Sequence, residues 1–427
     1  MAERTWAGTY TFTAPRLENA TSIAEVQRVV SEAATARQRV RALGTRHSFN
    51  GLADTDGTLL TVTGIEPDPV LDEAEGTVTV GSGIRYGELA VWLEANGKAL
   101  HNMGSLPHIS VGGATATATH GSGNLNGVLA TSVRTLELVT ADGSLLTVRQ
   151  GDPDFDGLVV GLGAAGIVVR TTLAVEPSFR MRQDSFTGLP WDDVLDDLET
   201  VTGAAYSVSL FTDWLGDEIG LMIWKTRLEG GDVSGGVPDE WRGAHRLSGP
   251  ETGLFGTATD NHTISGGIPG PWLERLPHFR LDATPSVGDE IQTEYFVDRA
   301  GGPAALRAVR ELGPRIAPHL HITELRTTAP DPLWLSGSYG RKTLAIHFTW
   351  KPEPEAVRVL LPDIEAALAP FSARPHWGKV NSVDAATLAR VHPRLADARA
   401  LFGRLDPDGR FANDYLVARG VRDAGVL

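Results

Sequence analysis

The stretch Gly104-Ser-Leu-Pro-His-Ile-Ser-Val-Gly-Gly113-Ala-Thr-Ala-Thr-Ala-Thr-His120-Gly-Ser-Gly123 is almost devoid of bulk, and on sequence grounds nothing in it fills a core. Small side chains let backbone approach a ligand closely, and the hydroxyls of Ser110, Thr115, Thr117 and Thr119 add hydrogen-bonding groups. A flexible linker would not interleave Leu106, Ile109 and Val111 with polar residues as this stretch does. The pattern G-x-G-x-x-G after a first strand is absent, which disfavours a Rossmann site. A second small, polar run, Gly44-Thr45-Arg46-His47-Ser48-Phe49-Asn50-Gly51, follows a strand-like segment from Arg39 to Leu43. Such a turn presents backbone N–H groups suited to a pyrophosphate, with His47 placed to reach a ligand held there. Taken alone, this second motif reads equally well as a surface turn carrying a histidine.

Outward from these two runs, the chain to about residue 178 alternates short helices and strands. Ser22 and Glu25 form a capping box ahead of a helical stripe of Ile23, Val26, Val30 and Ala33. Tyr86, Leu89, Ala90 and Leu93 mark a second helix that stops at Gly97. Strands are expected over Thr58–Thr63, Thr77–Gly81 and Ile167–Ala174, and a hairpin turns at Ala141-Asp142-Gly143. The texture changes at Glu176-Pro177. Longer strands follow at Tyr206–Phe211, Gly220–Lys225, Ile291–Val297, His319–Thr327 and Thr343–Trp350, around a Gly/Pro-rich tract, Glu229–Pro271, expected to hold little regular structure. From Ser372 onward short helical stretches return, with a turn at Asp406-Pro-Asp-Gly409.

Composition narrows the function classes. A chain of 427 residues with 41% apolar residues and mean hydropathy −0.10 is a folded protein of about two or three domains. The 38 basic against 53 acidic residues disfavour nucleic acid as a partner, and no apolar run is long enough for a membrane span. Zero cysteines remove thiolate nucleophiles and zinc–thiolate sites together. His319 and His321 form an H-x-H pair without a third ligand at a regular spacing, so no metal is assigned. No signal peptide is visible, and the expectation is a soluble, cytoplasmic monomer.

The His47 turn, the glycine-and-threonine run and Gly161-Leu-Gly-Ala-Ala-Gly-Ile-Val168 together resemble the flavin domain of the vanillyl-alcohol-oxidase superfamily, the PCMH-type FAD-binding domain. Within that superfamily the chain is most similar to the alditol (xylitol) oxidases, beside the aldonolactone oxidases. The similarity runs over essentially the whole chain and includes Thr323-Glu-Leu-Arg326, His347-Phe-Thr349, Pro375-His-Trp-Gly-Lys379 and Phe411-Ala-Asn-Asp-Tyr-Leu416. It implies an α+β fold, with a two-subdomain FAD-binding domain and an α+β cap domain built on a large antiparallel sheet. The implied boundaries are 1–178 for the FAD-binding domain, 179–371 for the substrate (cap) domain and 372–427 for a segment returning to the first.

The resemblance further implies FAD attached covalently through His47. It places Gly44, Thr45, Arg46, Ser48, Phe49, Ser105, Ser110, Gly113, Ala116, Thr117, Ala118, Val168 and His376 around the cofactor. Ala118 stands where relatives commonly carry glycine, which implies a slightly tighter phosphate turn. Gly104, beside Ser105, implies a path for O2.

Substrate residues have a physical reading of their own. By the period of two, Leu320, Ile322, Glu324 and Arg326 share a strand face that turns from apolar to charged. In the neighbouring strand His347 and Thr349 face one way, and Leu344, Ile346, Phe348 and Trp350 the other. A buried Glu–Arg pair serving structure alone fits this pattern equally well. The resemblance tips it toward polyol binding by Ser105, Glu324, Arg326, Thr349 and Lys379, with Arg326, Lys379 and His347 catalytic. The implied reaction oxidises the terminal alcohol of an alditol, with O2 reduced to hydrogen peroxide. Relatives in the lactone branch often carry a second histidine where this chain has Asn381. The rival readings are an aldonolactone oxidase or dehydrogenase, a catalytically silent flavin-binding protein, and a carbohydrate-binding module.

Overall fold

The computed structural model describes residues 3–65, 68–229, 233–249, 261–283, 289–423 and 425; parts of the Gly/Pro-rich tract, 230–232 and 250–260, lie outside them. Helix Ile23–Ala36 starts where the capping box places it. The Ser22 side chain accepts the Glu25 N–H, while Glu25 itself reaches one residue further back, to the Thr21 N–H at 2.7 Å. Its buried stripe of Val26, Val29, Val30 and Ala33 covers a three-stranded parallel sheet in the order Arg16–Asn19, Thr58–Thr61, Val40–Leu43. Nothing in the sequence announced Arg16–Asn19, an edge strand whose residues are largely exposed.

A five-stranded antiparallel sheet runs Val70–Asp72, Thr77–Gly81, Ile167–Ala174, Val133–Val139, Leu145–Arg149. The hairpin at Gly143 (φ +82°) and the helix stop at Gly97 (φ +67°) both fall at the expected glycines, in backbone that side chains resist.

The large antiparallel sheet has ten strands among the described residues. Its centre runs Arg180–Thr187, Leu221–Leu228, Ser207–Thr212, Leu320–Thr328, Thr343–Trp350, Ile291–Asp298. The Gly/Pro-rich tract is more regular than expected, because Glu240–Trp241, Ala244–Arg246 and Gly270–Pro271 add short strands at one end of this sheet. They are too short to show a period in sequence.

One face of this sheet packs with helices Gly302–Arg310 and Pro354–Leu368 into a core running from Phe186 to Leu368. Leu344, Ile346, Phe348 and Trp350 all enter it, as the alternation requires. Leu320 is a correction. It belongs to this core with Leu325, and not to the face of Glu324, because a register shift between Leu320 and Ile322 inverts the strand's phase.

A separate core draws on Leu52–Met181 and again on Trp377–Val421. Polar ties bind these distant segments. Arg41, buried, donates to the carbonyls of Leu52, Leu162, Gly163 and Phe411 at 2.6–2.8 Å. The Asn413 amide donates to the carbonyls of Gly51, Leu52 and Asp54. At the expected turn, Asp406 is buried, accepts the N–H groups of Arg410 and Phe411, and pairs with Arg422 at 3.0 Å.

Candidate active site

Between the small-residue run and the open face of the large sheet lies one cavity that gathers nearly every residue singled out from sequence. Gly44, Thr45, Arg46, His47, Ser48, Phe49, Ser105, Ser110, Gly113, Ala116, Thr117 and Val168 line it from one side, with His376. Ser105, Glu324, Arg326, His347, Thr349 and Lys379 line it from the sheet side. Ala118 does not line it. Helix Val111–Ala116 ends in a Schellman motif: the Ala118 N–H reaches the Thr115 carbonyl, and the Thr119 N–H the Ala114 carbonyl. Ala118 occupies its left-handed position at φ +56° and is buried in the core that draws on Leu52–Met181. Val111 and Ala114 enter that core too, so the run is not wholly free of core residues.

At two glycines of the cradle an added side chain would force the Ser110 hydroxyl to move. A Cβ at Gly44 would sit 2.6 Å from Ser110 Oγ, and one at Gly113 2.9 Å from the same atom. The Ser110 N–H donates to Thr45 Oγ1, fastening the two small-residue runs together. The Phe49 N–H donates to the Gly378 carbonyl at 2.7 Å, and Asn50 Nδ2 to the carbonyls of Trp377 and Lys379. The His47 turn and Lys379 therefore form one assembly. The His47 ring stacks on Trp6 at 5.3 Å, and both its ring nitrogens are buried without a well-formed hydrogen bond among the described residues. Burial, with His108 nearby, lowers its pKa to about 4, so the imidazole is neutral. A neutral imidazole beside a glycine cradle fits a large ligand with a polar pyrophosphate backbone, as FAD is.

On the sheet side the register builds the floor. Glu324, His347 and Glu294 are direct cross-strand partners, and the next row is Ile322, Thr349 and Gln292. Arg326, two residues beyond Glu324, donates to Ser105 Oγ and the His120 carbonyl (both 3.2 Å) and to Glu294 Oε1 (3.0 Å). Its Nε lies 3.5 Å from Glu324 Oε2. Lys379 Nζ donates to Gln292 Oε1 at 2.5 Å and lies 3.5 Å from Glu294 Oε2. His376 Nδ1 accepts the Gly378 N–H.

Burial alone would raise both carboxyl pKa values. Lys379, His120 and Arg326 nevertheless hold Glu294 well below the usual range, and Arg326 and His278 do the same for Glu324. Burial would lower Arg326, but Glu324 and Glu294 raise it. Burial lowers Lys379, with Glu294 opposing, and puts His347 well below its ordinary value, with Lys379 adding to the effect. His376 falls to about 3 through burial. The floor thus holds anionic Glu294 and Glu324, cationic Arg326, and neutral His347 and His376, with Lys379 set between burial, which lowers its pKa, and Glu294, which raises it.

Sequence reading missed several members. Gln292 and Glu294 alternate on one face of Ile291–Asp298, the same polar-on-one-face signal that exposed Glu324 and Arg326. His120 bonds Glu294 at 3.0 Å through Nε2. His278 bonds Glu324 at 2.8 Å, and its backbone N–H, with that of Phe279, donates to the Ser105 carbonyl. Behind them Lys225, fully buried, donates to the carbonyls of Leu276 and Pro277, and burial lowers its pKa to about 7. Among the described residues no cluster of His, Asp and Glu fits a metal ion, and no helix is long and apolar enough to cross a membrane.

With this geometry in place, comparison with known proteins assigns the class. Residues 16–149 match the family model of an FAD binding domain, and residues 288–419 that of D-arabinono-1,4-lactone oxidase. Cholesterol oxidase from B. sterolicum and a solvent-stable cholesterol oxidase share the fold, at TM-scores of 0.78 and 0.80 over 98% of this chain and 96% and 97% of theirs; identities are 15% and 17%. Alditol oxidase from Streptomyces sp. is 46% identical over 96% of this chain and 97% of its own. L-Gulono-1,4-lactone dehydrogenase from Mycobacterium tuberculosis is 31% identical over the same shares. The chain is an FAD-binding oxidoreductase of vanillyl-alcohol-oxidase fold and belongs to the alditol oxidase family within it.

Proposed function

We propose that this enzyme oxidises the terminal primary alcohol of an open-chain alditol, such as xylitol or sorbitol, to the aldose, with O2 as final acceptor and hydrogen peroxide as second product. The observation that carries the reading is the sheet floor: hydrogen-bonding and charged side chains in adjacent register rows, facing the small-residue cradle. A polyol offers a hydroxyl on every carbon and so matches a floor of closely spaced donors and acceptors. FAD, held by the cradle and bonded to His47, supplies the acceptor for the hydride pair leaving C1.

The protein's residues do the rest. Glu324, Ser105 and Thr349 hydrogen-bond successive hydroxyls and fix the chain in one pose. An aliphatic hydroxyl is a very weak acid, so Arg326 and Lys379 stabilise the alkoxide as it develops. His347, kept neutral by burial, receives the proton. Sites built on such bonds reject analogues lacking the hydroxyls far more strongly than they discriminate chain length. We divide the chain functionally into a FAD-binding part (1–178), a substrate-binding part (179–371) and a returning segment (372–427), acting as a cytoplasmic monomer.

The match of residues 288–419 to the lactone-oxidase model favours a second reading, oxidation of a cyclic aldonolactone. An anaerobic titration separates the two. The expected result is bleaching of the visible flavin spectrum as xylitol is added, and a yellow protein that bleaches only with L-gulono-1,4-lactone would overturn the alditol reading. Oxygen uptake matched by peroxide tests the acceptor.

A further inference from the structure

Gln292 lies among Glu290, Lys379 and His347, and the chemistry of those partners leaves its amide one orientation. The amide nitrogen of Gln292 donates to Glu290 Oε1. Lys379 can only donate, so the amide oxygen faces Lys379, at 2.5 Å. That same oxygen lies 3.1 Å from His347 Nε2. A carbonyl oxygen has no proton to give, so Nε2 must carry one. His347 is then protonated on Nε2, and its lone pair sits on Nδ1. That atom is buried in a residue lining the cavity and has no hydrogen-bond partner among the described residues.

We propose that Gln292 is a positioning residue: oriented by Glu290, it selects the Nε2–H tautomer of His347 and so makes Nδ1 the atom that takes the substrate's hydroxyl proton. The inference rests on the alditol reading for its substrate but not for its tautomer. In the step it serves, the O–H bond breaks toward Nδ1, the C1–O bond becomes a carbonyl, and the hydride pair leaves C1 for the oxidised cofactor. The charged groups facing His347 are Lys379 from the returning segment, Glu294 from one neighbouring strand, and Arg326 and Glu324 from the other. Burial and the two cations disfavour its imidazolium, and the two carboxylates favour it.

Two measurements test this. The first uses holoenzyme labelled with 15N-histidine, with His347→Gln to assign the signal; long-range 1H–15N correlations should show His347 protonated on Nε2 alone near neutral pH. Protonation on Nδ1 overturns the proposal whatever the substrate. The second is the paired exchange E290Q/Q292E, which keeps the number of charges and returns a donor to position 290. It places a carboxylate against His347 Nε2, stabilising the imidazolium, so the acid limb of kcat/KM should move up by at least about one pH unit, a tenfold effect. Retained flavin absorbance shows that the site has assembled. Should xylitol fail to reduce the wild type, the limb is read with L-gulono-1,4-lactone, so that loss of the alditol reading and loss of the tautomer are seen separately. An unmoved acid limb in the flavin-loaded variant overturns the role of Gln292.

Discussion

Replacing Glu294 by glutamine removes one negative charge from the middle of the site while keeping its volume. The carboxylate meets Arg326 Nη2 and His120 Nε2 at 3.0 Å on one oxygen and Lys379 Nζ at 3.5 Å on the other. An amide there must turn its NH2 toward a cation whichever way it points. At 3.5 Å and an effective dielectric of about 20, the Glu294–Lys379 attraction is about 5 kcal/mol. That figure is an upper bound before solvent and repacking respond; an opposite charge this close typically shifts a pKa by about 1–3 units, and with an amide dipole left in its place the lower end, about one pH unit in the titration of Lys379, is expected. The sign is fixed, since Glu294 raises the Lys379 pKa against burial and its loss lets that pKa fall. The high-pH limb of kcat/KM with xylitol should therefore move down by about one pH unit or more. The assay is oxygen uptake between pH 6 and pH 10, normalised to flavin absorbance. A high-pH limb in the same place, at full flavin occupancy, would refute the claim that Glu294 keeps Lys379 charged.

Three further outcomes are expected. Lys379→Ala should depress turnover with xylitol at least about 10²-fold, as for loss of a transition-state charge partner; near-normal turnover would remove Lys379 from the mechanism. Wild-type protein should keep its flavin fluorescence on a denaturing gel and His47→Ala should lose it, whereas wild type that releases all its flavin has no covalent bond. Acid should weaken the fold through His278, whose pKa burial lowers to about 4. That stability is intact above the unfolded value of about 6.5 and is lost as pH falls through about 4, amounting to about 3 kcal/mol. Urea midpoints at pH 7 and pH 4 should differ less in His278→Phe than in wild type, and equal differences would contradict this.

What could be read in advance followed local rules, and what could not depended on partners far away in the chain. Glu324 and Arg326 were legible because two charges on an apolar strand face break the period-two pattern. Gln292 and Glu294 break it in the same way, but on a strand that carries no other motif to mark it as part of a site. Strict alternation puts Leu320 on the face of Glu324, and the register shift that moves it to the other leaves no mark in a run of alternating residues. The role of Ala118 was invisible because alanine at a left-handed helix stop contradicts propensity, and only the two bonds of the Schellman motif show that it takes one. His278 and Lys225 act through carbonyl contacts of a loop, for which side-chain periodicity carries no information.

Arg41 and Asn413 set an order of events during synthesis. Arg41 emerges early, yet one of the four carbonyls it satisfies belongs to Phe411; Asn413, which braces the turn after His47, emerges later still. About 360 residues separate Leu52 from Asn413, so at roughly 5–20 residues per second a nascent chain spends about 20–70 s with the early half of its cradle unsupported. Lys379 and His376 are also missing for most of that time. The early half of the cradle is thus completed by groups made about 360 residues later in the chain.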